Sequence, residues 1–226
     1  MKILAIDTAA NLCAACVLDA AADRELGRSL RDIGKGHAEV LMDVVGEALA
    51  AAGTNFADLT AIAVAIGPGS FTGIRVGVSV ARALALAEAI PAAGVSTLEA
   101  LAFEARQSFG GKPVLSAIDG GRDGIYAAIY DGFGKVIYAP AVVDFATLRG
   151  LADGARVVAG TAARRVADAA PANGLLIGPE RATADIAAYA RIAAANGFAG
   201  GKPRPLYLRA PDARPQAHLA LPRQAP

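Results

Sequence analysis

The alternation of apolar and polar positions predicts short strands at the start of the chain. Residues 2–7 form an apolar run ending in Asp-Thr-Ala, a strand and then a turn. Residues 12–19 and 24–31 read as two further strands, so the chain opens with a meander. From 36 to 52 the period becomes helical, with Val40, Leu41, Val44, Val45, Ala48, Leu49 and Ala52 at helical spacing. Gly53 follows as a cap. Residues 61–66 are wholly apolar, as a buried central strand would be. A glycine-rich loop, Gly67 to Gly73, leads into a helix over 72–88, a short strand over 91–95 and a helix over 97–107.

A second unit begins near Gly110. Strands are predicted over 113–119, 125–131 and 135–139, then over 157–160 and 175–177, with a helix over 183–195. The halves echo each other as apolar strand, aspartate, turn and strand hairpin, which makes Asp7 and Asp119 equivalent. The expectation is an α/β protein with the two-lobed actin-like (ASKHA, ribonuclease H-like) plan. Residues 1–108 would be an N-terminal lobe carrying partner-binding helices, 109–210 a C-terminal lobe, and 211–226 a basic, proline-containing tail.

Composition narrows the classes. Of 226 residues, 54% are hydrophobic and 19% charged, enough for a large core. The apolar fraction is mostly alanine and glycine, which permits close helix approach. A net charge of +1 argues against a general nucleic-acid binder. Residues 201–226 are locally basic, through Lys202, Arg204, Arg209, Arg214 and Arg223 against Asp212, and read as a solvated tail. The apolar run after Met1 and Lys2 is too short for export, and none approaches the ~18 residues that span a bilayer, so a cytoplasmic protein is expected. Cys13 and Cys16 form a C-x-x-C, but positions three apart on a strand face opposite ways. Zinc needs about four ligands and only His37 and His218 could join them, so both cysteines read as structural.

Five segments carry a resemblance to the TsaB family over nearly the whole chain. They are Ile-Leu-Ala-Ile-Asp-Thr-Ala at 3–9, Gly-His-Ala-Glu at 36–39, Gly-Pro-Gly-Ser-Phe-Thr-Gly-Ile-Arg at 67–75, Gly-Val-Ser-Thr-Leu-Glu-Ala-Leu at 94–101 and Pro-Leu-Tyr-Leu-Arg at 205–209. The resemblance implies an actin-like fold and a subunit that does no chemistry itself. Such a subunit binds and activates the catalytic paralogue TsaD, and the ATPase TsaE acts with the complex. Threonylcarbamoyl then passes to the tRNA adenosine beside the anticodon. On this reading the chain alone binds no cofactor, ATP and Mg serve the complex, and tRNA is contacted indirectly. One segment departs from the family, whose second lobe opens with Asp-x-Arg and then Glu-x-Tyr. Here Asp119 and Tyr126 fit, Arg122 is displaced by one, and Gly124 stands in place of the glutamate.

The residues themselves offer two candidate chemistries. Asp7 and Thr8 sit where an actin-like ATPase places its first phosphate loop, with an aspartate on hydrated magnesium. The plainer reading is an aspartate accepting hydrogen bonds from its own turn. Gly67, Gly69 and Ser70 open a helix whose N-terminal amides attract anions, and Arg75 could add a bidentate contact. That loop lacks the lysine of a Walker motif, and its structural reading is a tight turn capped by Ser70 or Thr72. His37 reads as a surface or capping residue. In TsaD the helix after the strand matching 92–95 carries two histidines four apart, which can share a metal; the same register here holds Thr97 and Leu101, so no metal is expected.

The helices over 36–52 and 72–88 are apolar around more than one stripe and need cover on several sides. The expected partner surface is Val40, Leu41, Val44 and Val45 on the first, and Gly73, Gly77, Val80, Ala81 and Leu84 on the second. Without TsaD the same surface is expected to form a homodimer. The competing functions are a stand-alone actin-like ATPase or sugar-kinase-like phosphotransferase, and a metal-dependent glycoprotease.

Overall fold

Both meanders form, and each becomes the antiparallel half of a five-stranded sheet. The computed structural model describes residues 1–121 and 124–209. The first sheet contains β1 (Lys2–Asp7), β2 (Leu12–Asp19), β3 (Arg24–Asp32), β4 (Ala61–Gly67) and β5 (Ala92–Ser96), in the order β3-β2-β1-β4-β5. The second contains β6 (Val114–Asp119), β7 (Ile125–Tyr130), β8 (Val136–Val143), β9 (Val157–Ala159) and β10 (Leu176–Ile177), in the order β10-β9-β6-β7-β8. The orders coincide when β6 replaces β1. In each sheet the first strand pairs antiparallel with the second and parallel with the fourth. Asp7 and Asp119 therefore end equivalent strands, and the faint internal echo is a true structural repeat.

Among the described residues six helices cover the sheets: α1 (His37–Ala51), α2 (Phe71–Ala87), α3 (Thr97–Phe109), α4 (Phe145–Leu151), α5 (Ala163–Ala169) and α6 (Ile186–Asn196). α1 and α2 pack on the first sheet, α4 and α5 on the second. α3 and α6 fill the space between the sheets. One core cluster joins the first sheet to α3, α6 and alternate residues of the second, such as Val114 and Ala128. The intervening residues, Leu115 and Ala127 among them, face α4 and α5 in a second cluster. α6 packs on the first sheet although it lies in the C-terminal half of the chain. Arg28 of β3 pairs with Asp185, at the head of α6, at 2.9 Å. The alanine-rich composition follows from this layering. Ala187, Ala190 and Ala193 of α6 and Ala102 and Ala105 of α3 are fully enclosed, and small side chains let two helices lie between two sheets.

Differences from the predicted elements are local. α1 ends where expected, with Gly53 at φ 59 just beyond it, the left-handed position that glycine occupies at least cost. β8 continues through Pro140 to Val143, where the sequence suggested an end at Ala139. β8 is an edge strand, and an edge tolerates a residue with no N–H to donate.

Candidate functional site

The turn after β1 and the glycine-bearing turn after β4 are locked to each other. The Ala9 N–H donates to Asp7 Oδ1 at 2.8 Å, so the aspartate closes its own turn. The Thr8 hydroxyl donates to the Gly73 carbonyl at 2.7 Å, and the Ser70 N–H donates to the Ala9 carbonyl at 2.7 Å. Ser70 caps α2, its Oγ accepting from the Gly73 N–H at 3.2 Å. The glycines permit this approach. A Cβ on Gly73 would collide with the Thr8 carbonyl oxygen, one on Gly69 with the Ala9 carbonyl, and one on Gly77 with the Thr8 hydroxyl. Much of the polar capacity read as anion-binding is spent within the protein.

Asp7 is 2% exposed. Burial pushes its carboxyl from the ordinary 3.8 up to about 6, against the pull of the Ala9 N–H, the Thr183 and Tyr189 hydroxyls and nearby His37. Tyr189 comes from α6, and burial and Asp7 together hold its phenol well above the usual range. Thr183 and Tyr189 escaped the sequence reading because they lie some 180 positions from Asp7 and nothing local marks them. His37 corrects an expectation: it is buried, not a surface residue. Its Nε2, Ser96 Oγ, Thr97 Oγ1 and the Tyr189 hydroxyl are enclosed without a well-formed hydrogen bond among the described residues.

Arg75 is engaged by aromatic side chains, one of them Phe71 of the glycine loop itself. Its Nε donates to the Tyr207 hydroxyl at 2.8 Å, and its guanidinium lies 3.7 Å from the centroid of the Phe71 ring. In the second lobe Asp119 is exposed and pairs with Arg165 at 3.0 Å. Its N–H donates to the Thr161 hydroxyl at 2.8 Å. The displaced Arg122 and the segment 211–226 lie outside the described residues, as does His218.

The partner surface requires correction. Gly73, Gly77 and Ala81 do not face outward; they are buried against the protein's own β1 turn and β4. Leu41, Val44 and Val45 likewise lie in the core. The cause is helical period: the stripe with the smallest side chains is the one the sheet can approach most closely. Val40, Val80 and Leu84 keep part of their surface exposed. The rest of α2 carries Val76 and Val80, half-buried against the core, and Ala83 and Leu86, which are exposed, the last 79%, with Phe71 exposed at its head.

Thr97 and Leu101, four apart on α3, are both fully enclosed between the sheets, and Leu101 has no donor atom. Among the described residues no three His, Cys, Asp or Glu side chains cluster as metal ligands. Cys13 and Cys16 are buried free thiols. Burial raises both, Cys13 to about 11, so neither is a ready nucleophile. No described helix is long and apolar enough to cross a membrane.

Residues 31–195 match the family model for TsaD, tRNA N6-adenosine threonylcarbamoyltransferase. The chain is 37% identical over 130 residues to the tRNA threonylcarbamoyladenosine biosynthesis protein TsaB of Escherichia coli (strain K12), covering 58% of this chain and 55% of that one. It is 36% identical over 222 residues to an uncharacterized protein of Mycobacterium tuberculosis (strain ATCC 25618 / H37Rv), with 95% of each chain covered. The matches to curated TsaB relatives span about half of their length. Among solved structures, YeaZ from Pseudomonas aeruginosa superposes with a TM-score of 0.69 at 27% identity, over 88% of this chain and 95% of that one. A second Pseudomonas aeruginosa structure, described as similar to peptidase YEAZ, gives 0.75 at 27% identity over 92% and 99%. A polyphosphate/ATP-glucomannokinase from Arthrobacter, at 15% identity and a TM-score of 0.50, shares the fold alone.

Proposed function

The chain belongs to the TsaB/YeaZ family, and from that premise we propose that it is a non-catalytic subunit of the tRNA threonylcarbamoyladenosine-forming complex. It binds and activates TsaD. ATP and Mg serve the complex, in which TsaE is the ATPase, and this chain contacts tRNA only indirectly. The chain works in the cytoplasm, where the tRNA substrate of the complex is.

The observation that carries this reading is the partly exposed apolar face of α2. Val76, Val80, Ala83 and Leu86 recur at helical spacing on the side away from the sheet. A row of apolar side chains that is half-buried at Val76 and Val80 and exposed at Ala83 and Leu86 suits a helix from another chain. The absence of a donor at Leu101 supports an accessory role, since the metal-holding register of TsaD is unusable here. Without TsaD the same face is expected to meet a second copy of the chain.

Ala83→Arg with Leu86→Asp tests the proposal. Both positions are exposed, so the thermal midpoint should scarcely change, as surface substitutions fall within about 0.5 kcal/mol. Charges placed within an apolar contact should weaken TsaD binding at least about 30-fold, the equivalent of roughly 2 kcal/mol. Analytical size exclusion with TsaD and a reconstituted tRNA-modification assay would report both. Undiminished co-elution would remove α2 from the interface. ATP turnover by the purified chain alone would favour the phosphotransferase reading.

A further inference from the structure

The segment after α6 runs from one lobe to the other. Pro203 is buried, in van der Waals contact with the position a Cβ on Gly94 of β5 would take, 3.4 Å away. The Leu206 N–H donates to the Ile66 carbonyl of β4 at 2.8 Å. Tyr207 packs against Phe71 with ring centroids 5.6 Å apart and accepts from Arg75. These contacts are all with the first lobe. Two residues later the partners change: Arg209 Nη2 donates to the Gly121 carbonyl at 2.8 Å, and its guanidinium lies 5.6 Å from the centre of the Tyr126 ring.

We propose that residues 203–209 are a latch that ties the two lobes, with Arg209 seated in space that Gly124 leaves open. Gly124 is where the chain departs from the pattern of its family. Its backbone is not left-handed, so conformation does not call for glycine. Room does. A Cβ at 124 would overlap Arg209 Nη2 and lie 3.1 Å from both Arg209 Cζ and Val142 Cγ1. The Gly121 carbonyl accepts from the Gly124 N–H at 3.2 Å as well as from Arg209, so the turn and the latch share one acceptor. The end of β4 and the turn after β6 are thus held in fixed relation by the segment that follows α6. The latch needs no partner chain.

A double-mutant cycle with Gly124→Ala and Arg209→Ala tests it, read by amide hydrogen exchange on the isolated full chain. The colliding atom is the free end of a flexible arginine, so the methyl group should displace Arg209 and leave the fold intact. Each single variant should speed exchange at the Leu206, Gly120 and Gly124 amides by roughly tenfold, the order expected when one charge-assisted hydrogen bond is lost. The thermal midpoint serves as a control on folding. Because both substitutions undo the same contact, the double variant should exchange no faster than Arg209→Ala alone. Unchanged exchange in Arg209→Ala would overturn the latch. Singles whose effects add in the double would overturn Gly124 as its seat. Should Gly124→Ala fold poorly, Arg209→Ala and Tyr207→Ala must still free the Leu206 amide, or the latch is wrong.

Discussion

Gly73→Ala is expected to lower the thermal midpoint, by up to about 6–12 °C. The added methyl group meets the Thr8 carbonyl oxygen, which is backbone and cannot rotate aside. To make room, α2 must withdraw from the β1 turn, straining the Thr8–Gly73 and Ser70–Ala9 hydrogen bonds together. Overpacking of this kind costs up to about 3 kcal/mol, and in a chain of this size each kcal/mol moves the midpoint by roughly 2–4 °C. Gly77→Leu with Ala81→Arg should be worse still, because position 81 is fully enclosed and an unpaired guanidinium there costs several kcal/mol. That pair is expected to abolish folding, given a typical total stability of about 5–15 kcal/mol. Circular dichroism of the isolated variants decides the matter. Variants that melt like the wild type yet fail to bind TsaD would return the stripe to the surface.

Asp7→Asn is expected to stabilise the protein at neutral pH. The folded chain binds the Asp7 proton more tightly than the unfolded chain, since the carboxyl titrates near 6 instead of 3.8. The stability this confers is complete below pH 3.8, declines as pH rises and is gone above about 6. At neutral pH the ionised carboxylate therefore costs on the order of 3 kcal/mol relative to the protonated form. Asparagine keeps the oxygen that accepts from the Ala9 N–H and carries no charge to bury. Urea unfolding should show a gain of up to about 3 kcal/mol at pH 7.5, and little difference from wild type at pH 4. The wild type should lose stability between pH 4 and 6, while the variant shows a flatter profile there. A variant less stable than wild type at pH 7.5 would mean that the site needs the negative charge, as a cation ligand would.

Periodicity and punctuation marked most of the fold. β1 and β2 run over the residues their apolar patterns indicate, and the aspartates at 7 and 119 revealed the repeat that the matching sheet orders make explicit. α4 and α5 passed unnoticed because seven residues make two turns, too few for a helical period to stand out. The candidate site was legible only in part. Asp7, Thr8 and the loop Gly67 to Gly73 stood out as turns, and the structure brings them together. What surrounds Asp7 was not legible, because α6 reaches β1 only after the chain has built the second sheet.

The sequence by itself determined the strand–turn–helix order, the duplication and the family, since each rests on residues adjacent along the chain. It also showed that α1 and α2 are apolar on several sides. Only the tertiary structure decided which side is covered. An apolar stripe reads the same along the chain whether it packs on its own sheet or awaits a partner. The decision fell to the close backbone approach at Gly69, Gly73 and Gly77. The same holds for the titration of Asp7 and the room beside Gly124. Both depend on what distant segments place within a few ångströms, a property of the folded neighbourhood and not of any stretch of sequence.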